Sequence, residues 1–216
     1  MYKRQPLDAP GLKGREDFAL PPEVPLLLNT QSVIKLMPDA DPVWVDIARR
    51  CPEAVLVFLA GDGVQGGPGF RRRLSAAFRS AGLAPEQRLR FPGPLDHGDF
   101  LDLNACCDVF LDGLGWSGGW TTIEAISTGL VPVTVAGDRM RSRHTAAIVR
   151  SLGAPGLVAA DGAGFVGLVA SMVEDASLRA STGAHLRARL PALLSRSRSD
   201  GGLAQWLEGV AGRMPA

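Results

Sequence analysis

The chain has 216 residues, 46% of them hydrophobic and 21% charged, with a formal net charge of +1. These proportions suit one globular core with some length to spare and exclude a collagen-like, disordered or disulfide-stapled chain. The near-neutral balance gives no electrostatic reason to expect nucleic acid or an acidic membrane as partner, and 26 glycines beside 6% aromatics favour an α/β protein over a β-sandwich.

Cys51, Cys106 and Cys107 form no disulfide framework and read as small apolar residues suited to a reducing cytoplasm. No apolar run reaches the roughly 18 residues of a membrane span, and residues 1–20 lack the apolar centre of a signal peptide. Residues 1–5 resemble the translated end of a sequencing-adapter oligonucleotide, a scar to be left out of fold reasoning, or else form a short basic N-terminal arm. The expected organisation is an N-terminal segment 1–24, a domain over 25–197 and a helical tail over 198–216, with the natural chain continuing upstream.

Along the chain, residues 24–28 form a short apolar run. Asp41-Pro42 reads as an N-cap followed by proline at the first helical position. The helix it opens runs to Arg50, with Val43, Trp44, Ile47 and Ala48 on one face. Residues 54–60 predict a strand. Residues 61–69 hold five glycines and a proline and predict a loop. A helix follows over 70–81, with Arg71, Arg72 and Arg73 as a solvated first turn. Then come a strand over 88–91, a helix over 100–107, a strand over 108–112 and a helix over 120–128 stopped by Gly129. The pattern closes with a strand over 130–136, a helix over 143–152 stopped by Gly153, a strand over 156–160 and two or three further helices.

This alternation predicts a Rossmann-like parallel sheet with helices on both faces. Ligands of such sheets sit beyond the carboxyl ends of the strands, at the switch point. The loops over 29–38, 92–100 and 113–122 are therefore where chemistry is expected. In the last of these, Gly118 and Gly119 allow close backbone approach to a ligand. Thr121 and Thr122 fall on the first turn of a helix, where N–H groups lack partners and an anion is welcome. Glu124 is placed on the same turn, either accepting two sugar hydroxyls or capping the helix. Lys35 can neutralise a phosphate as a point charge. Arg139, Arg141, Arg143 and His144 either face a phosphate or form a solvated loop. His97 and His185 have no metal-spaced partners, so no metal site is expected, and no nucleophile elbow is present.

Three motifs in register carry a resemblance. They are Gln31-Ser32-x-x-Lys35-x-x-Pro38-Asp39, then Ser117-Gly118-Gly119-x-Thr121-Thr122-x-Glu124-Ala125 with Gly129-x-x-Pro132-Val133, then Gly137-Asp138-x-Met140-Arg141-x-Arg143-His144. Their order and gaps resemble bacterial SPINDLY-type proteins, relatives of protein O-linked N-acetylglucosamine transferase, with a looser match in the helical tail. The resemblance implies the C-terminal half of a GT-B glycosyltransferase, the half that binds a UDP-sugar, UDP-GlcNAc above all, with no cofactor required. It implies Lys35 as the catalytic contact to the diphosphate, with Gln31 and Ser32 lining its loop. It implies Gly118, Gly119, Thr121 and Thr122 around the diphosphate, and Glu124 on the ribose. Phe100 falls against the uracil, and Gly93 and Pro94 read the base edge. The protein acceptor would be held by a missing N-terminal region, preceded by tetratricopeptide repeats, so little transfer is expected from this chain alone.

The physical logic of an inverting transfer agrees. Negative charge grows on the leaving diphosphate, and fixed donors aimed there favour the transition state. Two departures stand out. Trp120 occupies a position where relatives carry Asn, Thr or His, and His97 replaces a Lys found in some of them. Two other readings stay open: a GT-B enzyme with another nucleotide sugar and a glycan acceptor, and a non-catalytic interaction domain.

Overall fold

A computed structural model describes residues 10, 11, 13–195, 205–210 and 212. Among them lie strands β1 (Leu26–Asn29), β2 (Val55–Phe58), β3 (Leu89–Arg90), β4 (Val109–Leu111), β5 (Val131–Val135) and β6 (Val158–Ala159). They form one parallel sheet in the order β3-β2-β1-β4-β5-β6. Leu27 of β1 pairs with Leu56 on one side and with Val109 on the other. Every residue of β1, β2 and β4 is buried, which is why these strands read as continuous apolar runs rather than as alternation. The chain winds outward from β1 to β3, then returns to place β4 beside β1. The switch point lies between those two strands.

The helices are α1 (Asp41–Arg50), α2 (Gly67–Ser80), α3 (Pro85–Arg88), α4 (His97–Cys106), α5 (Trp120–Ser127), α6 (His144–Ser151), α7 (Gly162–Glu174) and α8 (Ala176–Leu194). They cover both sheet faces, as the alternation predicts. One core gathers Trp44, Phe58, Phe70 and Phe165 under α1, α2 and α7. Trp44 meets Phe58 and Phe165 edge-on, with ring centroids 5.7 and 6.2 Å apart. The opposite face packs Leu26, Leu28, Val57 and Phe110 against Leu103 of α4 and Ala125 of α5. Gly129 and Gly153 end α5 and α6 with φ of 92° and 79°, the left-handed stop that glycine permits. No helix among the described residues is long and apolar enough to cross a membrane.

Several boundaries differ from the sequence reading. Asp41 is the first residue of α1 rather than its cap. Its buried carboxylate instead accepts two hydrogen bonds from Arg73 of α2, at 2.7 and 3.1 Å. Arg73 is therefore a helix-to-helix tie, and Arg71 pairs with Asp62, so the arginine run is not simply solvated. Helix α2 starts at Gly67, inside the expected loop. Pro68 suits an early helical position, and a Cβ on Gly67 would lie 2.6 Å from the Ala60 carbonyl oxygen. Helix α4 starts at His97 because Asp96 caps it, accepting the Asp99 N–H at 2.8 Å. The last strand shrinks to Val158–Ala159, since Pro155–Leu157 forms a 3-10 turn. Cys51 is buried, and Cys106 and Cys107 are half-buried free thiols. Of the expected tail, residues 205–210 are helical; residues 1–5 and 198–204 lie outside the described residues.

Candidate functional site

The site grows from the carboxyl end of β1. Asn29 is fully buried; its side-chain amide donates to the Leu111 carbonyl of β4 at 2.9 Å, and its Oδ1 accepts the Gln31 N–H at 2.9 Å. This ties the loop after β1 to the neighbouring strand at the switch point. A 3-10 turn over Val33–Lys35 then folds Lys35 back over Gln31. Lys35 Nζ donates to Gln31 Oε1 at 3.3 Å, and Gln31 Nε2 donates to Thr121 Oγ1 at 3.1 Å.

The glycine loop after β4 is held by Asp112. This buried carboxylate accepts from the Gly118 N–H at 2.7 Å, the Ser117 hydroxyl at 2.7 Å and the Thr134 hydroxyl at 2.6 Å. Burial pushes its carboxyl above the usual range, and these hydrogen bonds oppose that shift. Thr145 of α6 closes the other side: its N–H donates to Ser117 Oγ at 2.8 Å and its hydroxyl to the Gly118 carbonyl at 3.1 Å. Position 118 admits only glycine, because a Cβ there would sit 2.6 Å from Gln31 Nε2 and from Thr122 Oγ1. Gly119 is the N-cap of α5 and faces open space.

Thr121 and Thr122 occupy the first turn of α5, and they point in different directions. Thr121 stands at the cavity. Thr122 is fully buried, with its hydroxyl 2.8 Å from Thr145 Oγ1, so what it offers a ligand is its backbone N–H. Glu124 is the fifth residue of α5, one step beyond the first turn, and it does not cap the helix. Its Oε1 lies 3.0 Å from His97 Nε2. Burial raises the Glu124 carboxyl, and the His97 and Trp120 contacts work in the opposite direction.

A cavity of about 380 Å³ opens where these loops meet. Gln31, Ser32, Lys35 and Thr121 share its lining with Gly93, Pro94 and Phe100. The second group is set by Gly61, whose N–H donates to the Pro92 carbonyl at 2.8 Å. Gly118, Gly119, Thr122 and Glu124 are not in this lining. They stand behind it, Gly118 against Gln31 and Glu124 against His97, whose ring is 6.5 Å from Phe100. The lining thus combines an aromatic ring and glycine and proline backbone with a lysine ammonium and the start of a helix.

Of the basic cluster, Arg141 stacks on Trp116, its guanidinium 5.2 Å from the ring centroid, while Arg139 and Arg143 are exposed. His185 contacts the Leu152 carbonyl at 3.0 Å, tying α8 to the end of α6. Four residues that bear on the site carry no role in the sequence reading. Asp112 and Thr145 clamp the glycine loop. Trp116 contacts Lys35. Thr30 lines the cavity with a buried hydroxyl that has no hydrogen-bond partner among the described residues. Only Asp112 leaves a local trace, an acid ending an apolar run just before the glycines.

A parallel sheet in this order with a cavity at its switch point defines the Rossmann-like half of a GT-B glycosyltransferase. The family profile described as Glycosyl transferase family 41 matches residues 6–198, and the chain belongs to that family. Among solved structures it is similar to a mutant O-GlcNAc transferase of Thermobaculum terrenum, with 28% identity and a TM-score of 0.76 over 97% of this chain and 38% of that one. It is also similar in fold to sucrose-phosphate synthase of Thermosynechococcus elongatus (17% identity, TM-score 0.67, 96% of this chain and 51% of that one). A third likeness is HepE of Anabaena in complex with UDP and glucose (18% identity, TM-score 0.63, 90% of this chain and 51% of that one). The chain thus spans between about a third and a half of the length of these structures. The comparison with curated proteins gave no match.

Proposed function

We propose that this chain is the UDP-sugar-binding half of an inverting, O-GlcNAc transferase-like enzyme, working as part of a longer protein. The observation that carries this reading is the cluster of Gln31, Lys35 and Thr121 in the same cavity as Gly93, Pro94 and Phe100. In the proposed roles, the loop after β3 and Phe100 hold the uracil, and Glu124 takes the ribose hydroxyls. Lys35 and the start of α5 hold the diphosphate. The acceptor hydroxyl attacks the anomeric carbon, its proton passing to water, as the bond from that carbon to the diphosphate oxygen breaks. The electron pair leaves on UDP, where Lys35 and the helix-start N–H groups meet the growing charge. Sequence outside these 216 residues would supply the protein acceptor site, so the chain alone binds donor without turning it over.

The direct test is saturation-transfer NMR on an equimolar mixture of UDP, CDP and GDP with the chain. The reading predicts transfer to UDP above the other two, strongest at the uracil protons. Equal transfer to all three, or none, contradicts it.

A further inference from the structure

Trp116 stands between two cavities and contacts two cations. Lys35 lines the cavity of about 380 Å³ described above, whereas Trp116 lines a neighbouring one of about 540 Å³ together with Ile34, Met37 and Arg141. The Lys35 ammonium is 5.6 Å from the indole centroid, and the Arg141 guanidinium is 5.2 Å from it. These three residues come from the loops after β1, β4 and β5. The backbone joins two of those loops at the same place, since the Ser117 N–H donates to the Arg141 carbonyl at 2.8 Å.

Among the described residues Lys35 has a single hydrogen bond, to Gln31 Oε1 at 3.3 Å, slightly longer than the usual range. One such bond is a weak hold on a flexible four-carbon stem. The indole face supplies a second hold of a particular kind. Its quadrupole attracts the ammonium without neutralising it, whereas a carboxylate partner would compete with an incoming phosphate. Trp116 is 39% exposed, which places this contact at the rim of the crevice rather than in the core.

We infer that Trp116 is a positioning residue for Lys35, holding its ammonium unpaired at the cavity mouth for the diphosphate, with Arg141 securing the indole. The inference rests on the nucleotide-sugar reading and adds to it a residue outside the nucleotide cavity.

Two measurements on the whole 216-residue chain test it. In lysine-labelled protein, the indole ring current moves the Lys35 ε-CH₂ protons upfield; Lys35→Arg assigns the signal. The shift disappears in Trp116→Leu and survives in part in Trp116→Phe. UDP and uridine are then titrated into the wild type, Trp116→Leu, Trp116→Phe, Lys35→Met and the Trp116→Leu/Lys35→Met double variant. The expected loss of UDP affinity in Trp116→Leu is roughly three- to thirtyfold, with uridine unchanged. Trp116→Phe recovers most of it, and Trp116→Leu adds nothing in the Lys35→Met background. Equal losses for UDP and uridine, or an undiminished Trp116→Leu effect without Lys35, overturn the inference. A wild type that shows the ring-current shift and fails to bind UDP overturns the nucleotide reading itself. A wild type that binds UDP without the shift overturns the role of Trp116 alone.

Discussion

The side-chain amide of Gln31 donates to the hydroxyl of Thr121 across 3.1 Å, joining the loop after β1 to the first turn of α5 over the switch point. The same amide oxygen receives Lys35. Gln31 therefore sets the spacing between the two elements proposed to hold the diphosphate. Gln31→Leu keeps the volume and removes both bonds. UDP affinity should fall about fivefold to tenfold, the worth of one or two hydrogen bonds to an anion-binding group, while the loop stays anchored through Asn29. Isothermal titration together with a melting curve separates the two effects.

Asp112 gives the opposite balance, with a large structural share. Its carboxylate only accepts, and the Gly118 N–H and the Ser117 and Thr134 hydroxyls all donate to it. Asp112→Asn turns one acceptor into a donor facing donors in a buried site. The expected cost is about 2–4 kcal/mol of stability, read by urea denaturation, and UDP affinity falls with it because the glycine loop is freed.

Glu124 predicts a trade between stability and binding. Burial raises its folded carboxyl above the usual value, so the native chain holds this proton more tightly than the unfolded chain. The stabilisation from that proton is complete below about pH 4 and is lost as pH rises through the raised folded value. Glu124→Gln removes this loss. At pH 7 the variant should be more stable than wild type and bind UDP about tenfold more weakly. Stability curves at pH 4 and pH 7 check the sign, since the two proteins should converge at the acid end.

The tie between Asp41 and Arg73 lies away from the cavity and is a control. Asp41→Ala should destabilise by about 1–3 kcal/mol by leaving Arg73 without its two bonds, with UDP affinity unchanged.

Most of the architecture is legible because it depends on local pattern. Apolar runs mark β1, β2, β4 and β5, the last three closed by a glycine at 61, 113 or 137, and Gly129 and Gly153 mark helix ends. Errors arise where a local signal has a distant partner. Asp41 looks like a cap until Arg73 arrives from 32 residues away. Gly67, Pro68 and Gly69 look like loop until the Ala60 carbonyl makes position 67 too tight for a side chain. The site follows the same rule. The motifs around Lys35 and Thr121 stand in the sequence as short strings, and the cavity brings those two residues together. The bond from Thr134 to Asp112, those from Thr145 to Ser117 and Gly118, the inward turn of Thr122 and the stacking of Lys35 and Arg141 on Trp116 are contacts between strings. Spacing along the chain carries no information about them.

Lys35 and the start of α5 are proposed to hold the diphosphate of a nucleotide at the switch point. Calorimetric titration of UDP into the wild-type chain and Lys35→Ala, with uridine as the phosphate-free comparison, is the sharpest test. Saturable UDP binding by wild type is expected, with at least about tenfold weaker binding by Lys35→Ala and uridine alike for both. No heat from wild type at millimolar UDP, or equal UDP affinity with and without Lys35, would contradict it.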